Sequence, residues 1–181
     1  AASNSDAVFL DLEDSVSVEK KKQARENTLD AIQNINWKDK TLSVRVNSME
    51  TDFFEKDIEQ LIGLKNKKLD LVILPKVNTE KEVAKLEKIV NQIEKQNKIK
   101  NKVGFELIIE TAKGLINVNK IASSSKRIES LHFGAADFAA SIGAKTMSIG
   151  GPTNEYGTLS PISNKDKRDF FLNDIWQVAL F

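Results

Sequence analysis

The sequence repeats one pattern, in which a short apolar run is followed by a longer charged segment whose apolar residues recur at helical spacing. Five runs rich in Val, Ile, Leu and Phe recur roughly every thirty residues, at 7–12, 41–46, 69–74, 103–109 and 128–133. Because these runs are hydrophobic throughout rather than alternating, they are typical of strands buried on both faces of a parallel sheet. The repeat therefore predicts an α/β fold with right-handed crossovers, either an open doubly wound sheet or a closed barrel.

The segments between the runs have the pattern of amphipathic helices. The clearest lies at 79–97, where a capping-box pattern from Thr79 to Glu82 precedes a single stripe of apolar residues. Ser17 is placed to cap a helix that extends to about residue 34. Further helices are expected at 52–64, 114–123 and 165–181.

The length of the chain limits which architecture it can complete. Of its 181 residues, 40% are hydrophobic and 29% are charged, so the chain can bury a core and disorder is excluded. Five strand and helix units are too few for a complete barrel of eight, which needs about 250 residues. No linker or change in composition divides the sequence, and we expect one domain over residues 1–181.

Charge and cysteine content exclude several classes of protein. The 27 basic and 26 acidic side chains are interleaved along most of the chain, which excludes a general nucleic-acid binder. Without cysteine there is no disulfide, thiolate nucleophile or cysteine-bound metal. The absence of cysteine is compatible with a protein that works in a reducing compartment. No apolar run approaches the roughly 18 residues of a membrane span, and the first residues do not resemble a signal peptide. We therefore expect a cytoplasmic protein with no nucleic-acid or membrane partner. The sequence also lacks the glycine-rich motifs that would indicate a nucleotide-binding loop.

Polar side chains follow all five apolar runs, at the ends that parallel strands bring to one edge of a sheet. They lie at 11–14, 45–47, 75–76, 110–111 and 134–137. The carboxylates of Glu13, Asp14, Glu110 and Asp137 would converge there and raise one another's pKa unless a cation is present. The chain has no cysteine, and its one histidine, His132, is expected to be a hydrogen-bonded core residue. The remaining ligands are oxygen atoms, which favour Mg²⁺ or Mn²⁺ over Zn²⁺. Taken alone, Glu110 or Asp137 could also be an ordinary strand-end or capping residue.

Other residues at these ends admit both a site role and a structural role. Arg45 is one of four arginines against 23 lysines and lies in an apolar run, where it could bind a substrate carboxylate or pair with a nearby acid. Lys76 could orient an acid of the site, bind phosphate or extend into solvent. Gly134 is expected where the backbone passes close to another group, and its amide with those of Ala135 and Ala136 could hold an anion at a helix start.

Five motifs occur in a fixed order: FLDLEDSV at 9–16 with KQAR at 22–25, RVN at 45–47, LPKV at 74–77, IETA at 109–112 and FGAADF at 133–138. Their order and spacing resemble the citrate lyase β-subunit-like group of the HpcH/HpaI aldolase family. Segments 146–156 and 173–176 are more similar to the malyl-CoA and β-methylmalyl-CoA lyases of that family than to citrate lyase itself. The resemblance covers nearly the whole chain but only the middle of a family member.

This resemblance implies a (β/α)₈ TIM barrel that is incomplete here, because the first and last strands of the family are missing. It implies Mg²⁺, or Mn²⁺, held by Glu110 and Asp137. Together with Arg45, the amides of Gly134, Ala135 and Ala136 are expected to contribute to substrate binding. The resemblance also implies that Arg45 holds a substrate carboxylate. With it we expect three further catalytic residues: Glu13 and Asp14, which would orient water around the metal, and Lys76, which would support the acids or the coenzyme A side.

The activity that the resemblance implies is Mg²⁺-dependent cleavage or formation of malyl-CoA-type thioesters. The products of cleavage would be glyoxylate and acetyl-CoA or propionyl-CoA, with coenzyme A as part of the substrate, and the proton-transfer residue of the family lies outside this chain. A 2-oxo-acid aldolase, a malate-synthase-like condensing enzyme, a citrate lyase β subunit and a malyl-CoA thioesterase stay open as alternatives, as does an inactive fragment or a non-catalytic subunit. A homo-oligomer, trimer or hexamer, is expected at full length, and the start without Met suggests a processed, trimmed or partial chain.

Overall fold

The computed structural model describes residues 4–64 and 68–143, and within them all five predicted strands form one parallel sheet. The strands are β1 (Ala7–Asp11), β2 (Thr41–Arg45), β3 (Leu71–Leu74), β4 (Gly104–Ile109) and β5 (Ile128–Phe133). Their order across the sheet is their order in the chain, and every neighbouring pair is parallel. A doubly wound sheet requires the strand order to reverse at a switch point. The uninterrupted order therefore identifies the sheet as an arc of a barrel wall, with five units of the (β/α)₈ fold.

Helices connect the strands and follow the last one. They are α1 (Lys21–Asn34), α2 (Phe54–Gly63), α3 (Glu80–Gln96), α4 (Ala112–Ile116), α5 (Val118–Ala122) and α6 (Ala135–Ser141). The capping box predicted for α3 is present, and the Glu82 carboxylate accepts hydrogen bonds from the backbone N–H groups of Asn78 and Thr79. None of the helices in the described ranges is long and apolar enough to cross a membrane.

Two helix predictions are wrong in detail. Ser17 makes no capping hydrogen bond with its side chain, because a 3₁₀ turn (Val18–Lys20) separates it from the start of α1. The helix expected at 114–123 is divided into α4 and α5 at Asn117. The side-chain amide of Asn117 donates to the carbonyl oxygens of Asn78 and Lys113, and this tertiary contact accounts for the break. The segments expected at 146–156, 165–181 and 173–176 lie outside the described residues.

The hydrophobic core lies between one face of the sheet and the helices. Alternate strand residues on that face are fully buried, among them Leu42, Val44, Val72, Phe105 and Leu107. They pack in one cluster with apolar residues of α2 and with the predicted stripe of α3. Burial of one large apolar side chain stabilises the fold by about 1.5–3 kcal/mol, so this packing fixes where the strand ends lie.

The opposite face of the sheet, which is the interior face in a barrel, is more exposed. Phe9 in β1 is 56% exposed. The side chain of His132 in β5 is 48% exposed, so the expected core position is wrong, although the ring nitrogen Nε2 lies in hydrogen-bonding contact with Ser130 Oγ at 3.2 Å. The cause of the exposure is position, because β5 is an edge strand of the described sheet and pairs there with β4 alone.

Candidate active site

A network of charged side chains connects the carboxyl ends of neighbouring strands. Asp11, at the end of β1, accepts two hydrogen bonds from Arg45 at the end of β2, 2.7 Å from Nε and 2.6 Å from Nη2. The third guanidinium nitrogen, Nη1, lies 3.1 Å from Oε2 of Glu13. Oε1 of Glu13 accepts a hydrogen bond of 2.9 Å from Nζ of Lys76, which follows β3. The backbone N–H of Lys76 donates in turn to Glu110, which follows β4, so the first four strand ends are joined.

Arg45 is paired with Asp11, a residue that the sequence did not single out. Burial alone would raise the pKa of Asp11, but hydrogen bonds from Arg45, from Ser15 and from the backbone of Glu13 hold it well below its usual value. The hydrogen bond to Asp11 also raises the pKa of Arg45 above its usual value. Arg45 is thus a permanent cation whose Nε and Nη2 are occupied, while Nη1 faces Glu13. The pairing follows from the strand register, because Asp11 and Arg45 lie directly opposite each other in β1 and β2.

Lys76 contacts acids through both its backbone and its side chain. Its φ angle of 56° lies in the left-handed region, which costs a non-glycine residue about 1–3 kcal/mol. In this conformation its N–H lies 2.8 Å from Oε1 of Glu110, and its Nζ lies 2.9 Å from Oε1 of Glu13 and 3.5 Å from Oδ1 of Asp14. Burial disfavours the charged amine, but the hydrogen bond to Glu13 and the nearby carboxylates raise the pKa of Lys76. Lys76 therefore belongs to the charged cluster rather than to the solvent.

Glu110 and Asp137 come together at the ends of β4 and β5. Glu110 is 3% exposed, and Asp137, in the first turn of α6, brings its carboxyl group within hydrogen-bonding reach of Glu110. Burial is the main cause that raises the pKa of Glu110 to about 7; the N–H of Lys76 opposes it, and the carboxylates of Asp137 and Glu13 add to it. A β-carbon at Gly134 would lie 2.5 Å from Oε2 of Glu110. The close approach expected at Gly134 is confirmed, and the group approached is the Glu110 side chain.

The paired carboxyl groups of Glu110 and Asp137 have the properties of divalent-cation ligands. The buried Glu110 and the half-buried Asp137 repel each other when both are ionised, and a cation between them removes that repulsion. Within 4–64 and 68–143, no group of three or more acidic, histidine or cysteine side chains is arranged to hold a metal ion. A pair suffices for Mg²⁺, which binds one or two carboxylates and completes its shell with water and substrate oxygens. The residues present therefore fit the ion expected from the sequence.

The other predicted site residues join this cluster to different degrees. Glu13 is 4% exposed, and its Oε2 has no hydrogen-bond partner, because the 3.1 Å contact with Arg45 Nη1 lacks hydrogen-bond geometry. Burial raises the pKa of Glu13, against the opposing effect of Lys76. Asp14 is more than half exposed and reaches the cluster at Lys76. Two predicted residues, Ala135 and Ala136, form the exposed start of α6 next to Asp137.

A cavity of about 300 Å³ opens beside the cluster. Its walls combine the charged Glu13, Asp14 and Lys76 with the apolar Val16 and Val18. A second cavity of about 340 Å³ lies along the outside of α1 and contains none of the clustered charges. The smaller cavity therefore lies beside the part of the site that contains Glu13 and Lys76.

A buried ion pair fixes the segment that follows β2. Asp57 in α2 is fully buried, and its Oδ1 lies 2.6 Å from Nε of Arg25 in α1. Its Oδ2 accepts hydrogen bonds from the backbone and side-chain amides of Asn47, at 3.1 and 2.6 Å. Arg25 and Asn47 belong to motifs of the sequence, but Asp57 does not, and its only signal there is an acid next to Ile58 on the apolar side of a predicted helix. Asp57 thereby connects two helices to the strand end that carries Arg45.

The chain forms part of a parallel (β/α) barrel whose acidic site lies at the carboxyl ends of the strands, where barrel active sites occur. Comparison with known families identifies the family of this barrel. The profile of the family described as "HpcH/HpaI aldolase/citrate lyase" matches residues 1–154, and the chain belongs to this family.

Individual relatives agree with this assignment. The L-malyl-CoA/beta-methylmalyl-CoA lyase of Cereibacter sphaeroides is 42% identical over 159 residues, which are 88% of this chain and 50% of that protein. The citrate lyase subunit beta of Leuconostoc mesenteroides is 31% identical over 134 residues, 74% of this chain and 43% of that protein. Among solved structures, the protein CitE from Mycobacterium tuberculosis, in complex with magnesium and acetoacetate, has a TM-score of 0.59 and 26% identity over 78% of this chain and 50% of its own. The chain spans about half the length of the curated relatives it matches.

Proposed function

We propose that this chain contributes the metal and carboxylate site of a Mg²⁺-dependent carbon–carbon lyase acting on malyl-CoA-type thioesters. Cleavage would give glyoxylate and acetyl-CoA or propionyl-CoA, with coenzyme A as part of the substrate. The observation that carries the proposal is the buried Glu110, within hydrogen-bonding reach of Asp137 and with a pKa of about 7. The identity of 42% to an L-malyl-CoA/beta-methylmalyl-CoA lyase supports the substrate class.

Glu110 and Asp137 are the residues proposed to hold Mg²⁺, or Mn²⁺ in its place. The ion would act as a Lewis acid toward the oxo and carboxylate oxygens of an α-oxo acid. Lys76 holds Oε1 of Glu110 through its backbone N–H, and Oε2 lies beside Gly134. The chain thus fixes the direction of one proposed ligand before any cation binds.

Arg45 is proposed to bind a substrate carboxylate through Nη1. Asp11 occupies the other two nitrogens and sets the plane of the guanidinium. The contact between Nη1 and Oε2 of Glu13 lacks hydrogen-bond geometry, so a ligand carboxylate can take that nitrogen without breaking a hydrogen bond. A carboxylate bound there gains a charge-assisted hydrogen bond with a fixed donor.

The remaining residues are assigned supporting contacts. Glu13 and Asp14 orient water near the cation, and Lys76 holds Glu13 in place through the 2.9 Å hydrogen bond. The amides at the start of α6 are assigned to an anionic oxygen of the substrate, since the turn is exposed next to Asp137. Those amides belong to Gly134, Ala135 and Ala136.

The test compares Glu110→Gln and Asp137→Asn in the full-length protein with Glu106→Gln, a matched change in β4, the strand that Glu110 follows. We expect the first two variants to lose Mg²⁺-dependent cleavage of malyl-CoA and most Mg²⁺ affinity in calorimetry, with unchanged circular dichroism. The control should keep both. Unchanged metal affinity in both site variants would refute the assignment of the ligands.

Product analysis separates the proposed lyase from its relatives. A lyase releases glyoxylate together with an acyl-CoA, whereas a thioesterase releases free coenzyme A without glyoxylate. A free 2-oxo-acid aldolase would act on substrates that carry no thioester. The proposal also includes a homo-oligomer, trimer or hexamer, working in the cytoplasm, which light scattering and fractionation of the full-length protein would test.

A further inference from the structure

Lys21 occupies a position where two general rules disfavour a lysine. It is the first residue of α1, where the helix dipole opposes a positive charge, and it is 8% exposed. Burial lowers the pKa of Lys21, against the opposite effect of nearby carboxylates, the first of which is Glu13. Residues that violate local rules are expected where another requirement is stronger, most often at a site. The compensating contacts of Lys21 must therefore lie outside its own helix.

Those contacts are with the turn that follows β1. Nζ of Lys21 donates to the carbonyl oxygens of Leu12 and Glu13, each at 2.7 Å. On the other side of the same turn, Oδ1 of Asp11 accepts a hydrogen bond from the N–H of Glu13 at 2.9 Å. The backbone of Glu13 is thus held at both its N–H and its carbonyl group.

The side chain of Glu13 leaves this fixed backbone toward the cluster. Its carboxylate bridges Lys76 at 2.9 Å and Arg45 at 3.1 Å, and it is almost fully buried. A buried carboxylate has few alternative conformations, so a shift of its backbone would break its contacts with the two cations. The orientation of Glu13 therefore depends on the two carbonyl contacts that Lys21 makes.

We propose that Lys21 is a positioning residue of the site, whose ammonium fixes the turn after β1 so that Glu13 bridges Arg45 and Lys76 in one orientation. This rests on the proposed function for what the site binds, but the positioning itself is a property of the turn. Arginine can make the same two contacts, because a guanidinium also carries several N–H donors. Methionine keeps most of the length and volume but donates no hydrogen bond.

The experiment uses Lys21→Met and Lys21→Arg in the full-length protein, with Lys22→Met as the matched control. Lys22 is the next residue of the same helix, its side chain is 83% exposed, and its ion pair spans 3.9 Å to Glu26. For Lys21→Met we expect about a tenfold higher Mg²⁺ dissociation constant in calorimetry and a fall of about tenfold or more in kcat/KM, the usual size for a residue that orients a metal site. Lys21→Arg should restore most of both, and the control should change neither.

The direction of the change in metal affinity separates positioning from charge. Removing a cation near several carboxylates would by itself tighten Mg²⁺ binding, so tighter binding in Lys21→Met overturns the proposal. The proposal is also overturned if the Mg²⁺ dissociation constant and kcat/KM of Lys21→Met are within twofold of wild type. Lys21 would then have only a structural role, whatever the melting temperature of the variant. If Lys21→Met does not fold, loss of Mg²⁺ affinity in a folded Lys21→Arg variant counts against the proposal, because that variant retains the donors.

The failure of this inference can be told apart from failure of the proposed function. Wild-type protein that binds Mg²⁺ but cleaves no malyl-CoA-type thioester overturns the proposed function alone, and the calorimetric comparison still decides the role of Lys21. If wild-type protein binds no Mg²⁺, the crystal structure of Lys21→Met decides it. Glu13 Oε1 remaining within hydrogen-bonding distance of Lys76 Nζ in that structure would overturn the positioning role.

Discussion

Among single residues, the arrangement with the largest consequence is the two-point pairing of Arg45 with Asp11. The pair fixes both the charge and the plane of the guanidinium, and neither side chain is more than 20% exposed. A lysine at position 45 would keep the charge but lose the parallel hydrogen bonds, because an ammonium is a single point charge. The direction in which Nη1 of Arg45 points therefore depends on Asp11.

This predicts a similar effect of Arg45→Lys and Asp11→Asn on substrate binding. In the full-length protein, we expect each to raise the KM for the carboxylate substrate about tenfold or more, while the free energy of unfolding falls by about 2 kcal/mol, as for a lost hydrogen bond to a charged group. The double variant should be little worse than either single one, since both changes remove the same pairing. Steady-state kinetics with urea unfolding measures these effects. Wild-type KM in Arg45→Lys would remove Arg45 from the substrate site.

The pKa of Glu110 predicts how Mg²⁺ stabilises the protein at different pH. The folded-state pKa is raised from 4.5 to about 7, so the folded protein binds more protons than the unfolded chain between these values. Without metal, the stability that the Glu110 proton contributes is complete below about pH 4.5 and is lost as the pH rises through about 7. Mg²⁺ competes with that proton, so it should raise the melting temperature more at pH 8 than at pH 5.5.

Differential scanning calorimetry with and without Mg²⁺ at the two pH values checks this expectation. In Glu110→Gln the side chain cannot titrate, and the pH-dependent part of the Mg²⁺ effect should disappear. An equal rise in melting temperature at pH 5.5 and pH 8 in the wild type would contradict the link between the Glu110 proton and the metal.

Two glycines at the ends of helices differ in the room they leave for an added β-carbon, and only one of them lies next to the site. A β-carbon on Gly134, between β5 and α6, would lie 2.5 Å from Oε2 and 2.6 Å from Cβ of Glu110. Gly134→Ala should therefore destabilise the full-length protein by about 1–3 kcal/mol and weaken Mg²⁺ binding, because Glu110 must move. Gly63, at the end of α2, has no atom within 4 Å of an added β-carbon, and Gly63→Ala should be neutral or stabilising by about 0.4–1 kcal/mol.

Urea unfolding and Mg²⁺ calorimetry of the two variants test this difference. Equal Mg²⁺ affinity in Gly134→Ala and wild type would mean that Glu110 tolerates displacement, and it would count against Glu110 as a fixed ligand. A loss of stability in Gly63→Ala would mean that the helix end is packed more tightly than the structure shows.

The strands were more predictable than the ends of the helices. Each strand begins within two residues of its apolar run, because burial on both faces leaves a direct mark on composition. The break at Asn117 depends on a hydrogen bond to Asn78, far away in the sequence, which local periodicity does not contain. The residues that follow the strands could be placed at one edge because parallel strands point the same way. The contacts of Asp11, Lys21 and Asp57 could not be predicted, because they depend on strand register and on how the helices pack.

At the scale of the whole molecule, the described sheet is an arc with two edges. Within the described residues, β1 pairs only with β2 and β5 only with β4. Phe9 lies on the face opposite to the core, since its neighbours Val8 and Leu10 pack against the core cluster. In a closed barrel that face is the packed interior, whereas in the arc Phe9 is 56% exposed. An unpaired edge strand with an exposed aromatic residue promotes association between chains.

The same substitution is therefore expected to have opposite effects in two contexts. In residues 1–181 expressed alone, Phe9→Ser removes exposed apolar surface from an edge strand, and we expect less self-association in light scattering. In the full-length protein, Phe9→Ser removes a large side chain from the barrel interior, and we expect the free energy of unfolding to fall by about 3–5 kcal/mol. Ile116→Ser, at a position 84% exposed in α4 and away from the sheet, should change stability little in either protein. If Phe9→Ser leaves the full-length protein as stable as the wild type, then position 9 does not face a packed interior, and the arc of five strands does not close into a barrel.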